Sequence, residues 1–280
     1  MTRSFSLPTH GPYELASTLA GMRFGLRDPT AIIDRASMLK AAHTPDGPVT
    51  MTVRHRSQDG MLDVELDGPG TAWTEERAPA ILGLLDRPDA FVTTHRRLLN
   101  AQRRARGLRL GQAISVSEVH VAAVLQQRVK FTEAATAWAR ITLRRNVGAP
   151  GTDRIVLPLD PEAWRKVPSY ELREHGVELK RYQALQIAVR AAPHLERARD
   201  DRAKVRELMM SLRGTGVWTT EMVLGYGLGD PDAVPFGDVH LPHEVSKFFE
   251  DVPHGSDERM AELLAPYAGQ RFRVLRLIGR

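Results

Sequence analysis

From about residue 90 to its end, the chain repeats apolar residues at helical spacing almost without interruption. The runs HRRLLNAQRRA, SVSEVHVAAVLQQRV, TEAATAWARITLRR, ELKRYQALQIAVRAA, ARDDRAKVRELMMSL, WTTEMVLGYGL, LPHEVSKFF, DERMAELLAPY and QRFRVLRLI all carry it. Short turns bearing Gly or Pro separate many of them. Asp160-Pro161-Glu162 and Ser256-Asp257-Glu258 read as helix starts: a side-chain oxygen can cap the free N–H groups, and proline suits the first position. Before residue 90 the pattern is mixed. VTMTVRHRSQDGMLDVELDG alternates, turns at Gln58-Asp59-Gly60 and alternates again, as a β-hairpin does. LASTLAGMRF and TAIIDRASMLKAA read as helical or turn-like, and ERAPAILGLLD as a short amphipathic helix ended at Arg87-Pro88-Asp89. The expected fold is mainly α: a small N-terminal α+β domain over 1–92, then a larger bundle-like helical domain over 93–280.

Composition narrows the function. With 42% hydrophobic residues, the 280-residue chain has material for a sizeable core. The absence of cysteine excludes a disulfide scaffold, a Cys-ligated zinc, an iron–sulfur cluster and a cysteine nucleophile. The net charge is +5, and lysine stands only at 40, 130, 166, 180, 204 and 247, so arginine carries most of the basic charge. Its planar fork suits phosphate, although a codon bias towards arginine gives the same composition. No apolar stretch is long enough for a membrane span, and the start, MTRSFSLPTHGPYE, lacks a signal-peptide core. A cytoplasmic, monomeric protein is expected.

The most informative segment is Leu212-Arg213-Gly214-Thr215-Gly216-Val217-Trp218-Thr219-Thr220, flanked by the amphipathic runs VRELMMSL and EMVLGYGL. Two helices, at about 204–228, are therefore joined by a tight turn. Glycine permits positive φ and close approach of backbone to another molecule. The second helix opens with free N–H groups, which bind phosphate oxygens. The same pattern also serves as a plain helix C-cap. The string resembles the helix–hairpin–helix element, with Arg213, Thr215 and Thr220 departing from its usual residues and Gly214, Gly216 and Thr219 retained.

Downstream stands Gly229-Asp230-Pro231-Asp232-Ala233-Val234-Pro235-Phe236-Gly237-Asp238, then a helical run. A hairpin, a Pro/Asp-rich loop and an aspartate heading the next helix resemble the helix–hairpin–helix DNA glycosylases, in particular the bacterial 3-methyladenine DNA glycosylase II family. LDRPDAF with RRARGLRL, SEVHVAAVLQQRVKFTEAATAW, DPEAWRKVPSYELREHGVELKRYQALQIA and DERMAELLAPYAGQRFRVLRLI extend the resemblance over most of the chain. The N-terminal hairpin would belong to that family's small β-rich domain.

The resemblance makes Asp238 the catalytic carboxylate; the alternative reading is an N-cap. Cleaving a purine N-glycosidic bond builds positive charge on the sugar, which a carboxylate stabilises. Bifunctional members carry a nucleophilic lysine two residues after the second glycine, where this chain has Trp218. No lysine lies between 205 and 246, so a monofunctional enzyme is implied. Trp218 can stack on a flipped, electron-poor base, with Met222 one turn on in the same pocket. Phe24, Phe131 and Trp138 read as core. Gly214, Thr215, Gly216 and Thr219 would hold the DNA backbone. Gln127, Arg128 and Lys130 fall where the family's loop enters the minor groove, with Arg128 filling the gap left by the flipped nucleotide and Gln127 the next candidate. Lys180-Arg181 reads as a solvated face that could touch phosphate, and Arg271 as bracing the site near Asp238. His240 and His243 are poorly spaced for a metal, so no metal or other cofactor is expected to be required; the resemblance allows a main-chain Na+ or K+ at the hairpin.

The implied function is a base excision repair glycosylase that flips and releases alkylated purines from duplex DNA, associated with the nucleoid. Two readings stand beside it: a damage-recognition protein that binds without efficient excision, and a glycosylase for deaminated, oxidised or bulky bases.

Overall fold

The computed structural model describes residues 2–279. Five strands come first: β1 (Thr2–Pro8), β2 (Ala31–Ile33), β3 (Ser37–Thr44), β4 (Gly47–Arg56) and β5 (Met61–Asp67). They form one antiparallel sheet in the order β1-β5-β4-β3-β2. The β4–β5 hairpin turns where the sequence predicts, through Gly60 at φ +62°. TAIIDRASMLKAA, however, forms β2 and β3 and not a helix or turn. Met38, Leu39, Ala41 and Ala42 are fair helix formers, but pairing with β4 buries all four, and tertiary pairing overrides propensity. The opening strand β1 also lies outside the sequence expectation. Its Phe5 and Leu7 alternate towards a core of Met51, Val53, Leu62, Val64 and Leu66.

Short helix α1 (Leu15–Thr18) precedes β2, and α2 (Thr71–Ile81) follows the sheet. From there to the end the long elements are helices joined by loops: α3 (Arg96–Arg104), α4 (Val116–Gln126), α5 (Phe131–Arg145), α6 (Pro161–Lys166), α7 (Ser169–Glu174), α8 (Leu179–Ala198), α9 (Arg202–Ser211), α10 (Val217–Met222), α11 (Leu241–Glu250), α12 (Asp257–Leu264) and α13 (Arg271–Ile278). Both expected caps are present. Asp160 accepts from the Ala163 N–H at 2.6 Å and Ser256 from the Arg259 N–H at 3.2 Å. α10 runs into a π turn, Val223–Gly227, inside what reads as one helix in the sequence. The turn places the Gly225 Cα so close to the Phe272 ring that a Cβ would meet it at 2.6 Å.

Two apolar clusters hold the helices. One gathers α3, α9, the π turn, α11, α12 and α13 around Leu98, Met209, Leu224, Val245 and Phe272; the other gathers α4, α5, α6 and α8 around Trp138, Trp164 and Leu185. α4 touches α5, α8 and α10, so its exposed edge looks across a gap towards α1 and α13. No helix among the described residues is long and apolar enough to cross a membrane.

Candidate active site

The turn between α9 and α10 shows why the two glycines differ. Gly214 has φ +87°, and a Cβ there would lie 2.8 Å from the Cβ of Ala184 on α8. It is glycine for conformation and for packing. Gly216 has an ordinary φ of −102°, is exposed, and a Cβ on it would meet nothing within 4 Å. Its openness faces outward. The N–H groups of Gly216, Val217 and Trp218 have no partner among the described residues.

A polar bolt ties this turn to the one between α4 and α5. The Gln127 amide donates to the Gly214 carbonyl at 2.8 Å and to Thr219 Oγ1 at 3.0 Å. Thr215 Oγ1 stands 3.2 Å from Nε2 of His120, which burial on α4 holds neutral by pushing its pKa down to about 4. Next to Gln127, Arg128 takes the left-handed conformation at φ +58°, unusual for a side-chain-bearing residue. It is exposed and makes no hydrogen bond or ion pair among the described residues. Lys130 is likewise exposed, at the start of α5. Arg181 departs from expectation. It is buried, donates to the Leu125 carbonyl at 3.0 Å, and so fixes the end of α4 instead of facing solvent.

The loop after the π turn is held along its length. Buried Glu221 on α10 accepts from the Val234 N–H at 3.2 Å and pairs with Arg206, which also reaches Asp230. Asp232 accepts from the Gly269 N–H and from Arg271 Nε, both at 2.7 Å. Arg271 therefore braces this loop six residues before Asp238, not Asp238 itself. At the loop's end Oδ1 of Asp238 accepts from the N–H groups of His240 at 2.8 Å and Leu241 at 3.0 Å, capping α11. Oδ2 accepts from the indole N–H of Trp218 at 2.8 Å. Three donors thus fix the plane of one carboxylate, and the capping alternative and the site geometry coexist in one side chain.

Asp238 borders a cleft of about 720 Å³, within the range of small-molecule sites. Its walls include Phe24, Phe131, Tyr226, Phe272, Met222 and Glu118. Phe24 meets Phe131 edge-on at 5.4 Å and Tyr226 meets Phe272 edge-on at 5.2 Å. Phe24 and Phe131 are therefore wall residues, not core; Phe131 is 49% exposed. Trp138, behind them, belongs to the helical core and borders the cleft as well. Met222 lines the cleft. Trp218 is not among its lining residues, because its indole is turned to Asp238. His240 also lines it, whereas His243 Nδ1 accepts from the Gly255 N–H; among the described residues no group of His, Asp and Glu has the arrangement of a metal site.

The aromatic walls were hidden from the sequence because isolated Phe and Tyr at helical spacing look like core. Glu118 was hidden too. Ser115-x-x-Glu118 has the form of a capping box, and Ser115 does cap α4 with a 3.2 Å bond from the Glu118 N–H. The Glu118 side chain, though, pairs with Lys40 of β3.

No family model matches the chain, and no curated protein sequence does. Solved structures do. The 3-methyladenine DNA glycosylase of Archaeoglobus fulgidus is similar with a TM-score of 0.77 at 20% identity, over 98% of this chain and 97% of that one. An 8-oxoguanine glycosylase/lyase of Clostridium acetobutylicum, bound to duplex DNA, has a TM-score of 0.69 at 10% identity over 99% and 96%. The 3-methyladenine DNA glycosylase of Schizosaccharomyces pombe, bound to abasic DNA, reaches 0.50 at 19% over 72% and 95%. Over nearly its whole length, sheet and helices together, the chain has the fold of the first two of these proteins.

Proposed function

We propose that this chain is a monofunctional DNA N-glycosylase that flips alkylated purines of the 3-methyladenine type out of duplex DNA and releases them hydrolytically. The observation that carries the reading is Asp238: a carboxylate fixed by three N–H donors, at the edge of an aromatic cleft, beside a helix–hairpin–helix turn.

The chemistry follows from that placement. An alkylated purine nucleotide carries positive charge on its base, and aromatic walls attract it through their π faces. When the C1′–N bond breaks, its electron pair leaves with the base, which becomes neutral, and the charge moves to the sugar. Asp238 stabilises the developing cation, and water adds to C1′ as its proton passes to solvent or to the carboxylate. Asp238 is oriented beforehand, so little reorganisation accompanies bond breaking. No amine follows Gly216 in the turn: Trp218 stands there and positions the carboxylate. The strand is left intact with an abasic site.

The DNA-binding part of the reading uses the unpartnered N–H groups at Gly216 and Val217 for a phosphate and Arg128 for the vacancy in the duplex. The Leu212 and Gly214 carbonyls already accept from the Thr215 N–H and from Gln127. Each keeps a second lone pair, so a monovalent cation could tether the turn to a phosphate without entering the bond-breaking step. We place residues 1–92 and 93–280 as two domains of a cytoplasmic, nucleoid-associated monomer. The test is to incubate the protein with methylated duplex DNA, identify free bases by chromatography, and add borohydride. Released 3-methyladenine with no trapped covalent adduct supports the reading. Tight lesion binding without any release would favour the damage-recognition alternative.

A further inference from the structure

A buried polar chain runs from the N-terminal sheet to the cleft. Trp138 Nε1 donates to Asp28 Oδ1 at 3.1 Å, as does Thr30 Oγ1 at 2.8 Å. Lys40 Nζ donates to Thr30 Oγ1 at 2.8 Å and pairs with Glu118, which lines the same cleft as Asp238. Lys40 is thus linked to Asp28 only through the Thr30 hydroxyl and pairs directly with one carboxylate, Glu118. Lys40 takes Glu118 Oε1, while Oε2 has no partner among the described residues. Burial pushes the Glu118 carboxyl up, against the pull of Lys40.

Such a group is costly unless it has use. Burying an ionised carboxylate carries a desolvation penalty, which one ion pair offsets only in part. Here the free oxygen belongs to a residue whose neighbours along α4, Val119, Ala122 and Ala123, are all apolar wall. An ionised carboxylate accepts hydrogen bonds and cannot donate them. A base presenting an amine at that point satisfies it; a base presenting a carbonyl sets two acceptors against each other.

We propose that Glu118, paired with Lys40 at the cleft wall, determines specificity by reading the exocyclic amine of an adenine-type lesion and rejecting the carbonyl of its deaminated counterpart. This inference rests on the cleft being the base pocket, but it assigns the discrimination to one side chain that takes no part in bond breaking. Arg23 and Arg276 also line the cleft, and their positive charge makes a negative counterpart for a cationic base more necessary.

The experiment compares Glu118→Gln with wild type for release of 3-methyladenine and of hypoxanthine from duplex DNA, and by calorimetry for binding of the two free bases. Gln keeps an acceptor for Lys40 and can offer an N–H to a carbonyl. The ratio favouring 3-methyladenine should fall by roughly ten- to a hundredfold, the worth of one hydrogen bond to a charged group. Lys40→Met should shift the ratio the same way, because the unpaired carboxyl then protonates. An equal loss on both bases, or an unchanged ratio, overturns the inference. If wild type releases neither base from DNA but its free-base preference disappears in Glu118→Gln, the glycosylase reading fails and the recognition role stands.

Discussion

The indole N–H of Trp218 donates to Oδ2 of Asp238 at 2.8 Å, joining the first turn of α10 to the head of α11 across twenty residues of chain. The residue that stands where a nucleophilic amine would be expected thus serves the carboxylate instead. Trp218→Phe separates this role from stacking. Phenylalanine keeps an aromatic face but loses the donor. Base release should fall about tenfold to a hundredfold, with lesion affinity little changed, since a hydrogen bond to a charged group contributes about 1.5–3 kcal/mol. Single-turnover rates and binding curves measure both. A Phe variant as fast as wild type would make stacking the role of the ring.

Asp238→Asn should abolish most base release, by two to three orders of magnitude or about 3–4 kcal/mol. The amide oxygen can still cap α11, so the melting temperature should move little. Near-wild-type excision in a folded Asn variant would leave Asp238 with its capping bonds to His240 and Leu241 and nothing more.

The two glycines of the turn give opposite expectations. Gly214→Ala should destabilise the protein by more than about 1 kcal/mol through its left-handed φ alone, and the contact with Ala184 adds to this, so its DNA affinity says nothing about phosphate. Gly216→Asp is the informative change. Gly216 precedes α10 with extended backbone and free space, and aspartate is a favoured residue before a helix. Thermal stability should hold or rise by a few tenths of a kcal/mol, while affinity for every duplex drops because a negative charge meets the phosphate. Unchanged affinity would make the turn a helix junction only.

His120 supplies a pH dependence. Its pKa is pushed down to about 4 in the folded protein by burial, against about 6.5 when exposed. Protons therefore bind the unfolded chain first. The contribution is whole above pH 6.5 and is lost as pH falls from 6.5 towards 4, to a limit of about 3 kcal/mol. His120→Gln should flatten the stability profile in that window. Because His120 supports Thr215, wild-type DNA affinity should weaken over the same range.

How much of this was legible in the chain differs by element. The helical repeat, the caps at Asp160 and Ser256, and the β4–β5 hairpin follow from local chemistry. The Gly-x-Gly turn and Asp238 were visible as a spacing. β1, β2 and β3 were not: β1 forms by pairing with β5, distant in sequence, whereas β2 and β3 lie in short hairpins whose Met38, Leu39, Ala41 and Ala42 are helix formers that give no strand signal. The cleft walls were hidden for a related reason. Phe24, Tyr226, Phe272 and Glu118 become neighbours only when α4, α13 and the segment after α1 converge, and no local period encodes that convergence.

Arg128 combines a strained backbone with an unpartnered side chain. A left-handed conformation costs a non-glycine residue roughly 1–2 kcal/mol, so Arg128→Gly should raise stability by up to about 1 kcal/mol. The same change removes the side chain that would fill the vacancy of the flipped nucleotide. Unstacking a base costs a few kcal/mol and least where pairing is already poor. Arg128→Gly and Arg128→Ala should therefore both impair excision from paired lesions, with the defect shrinking on mismatched ones, although the first variant is more stable than wild type and the second is not. If Arg128 instead contacts a phosphate, its loss weakens intact and damaged duplexes alike and lowers the salt slope by about one. Binding and single-turnover release at several salt concentrations, on paired and mismatched duplexes, distinguish the two. A uniform loss would transfer the wedge to another residue of the turn, and Gln127 is already committed to Gly214 and Thr219.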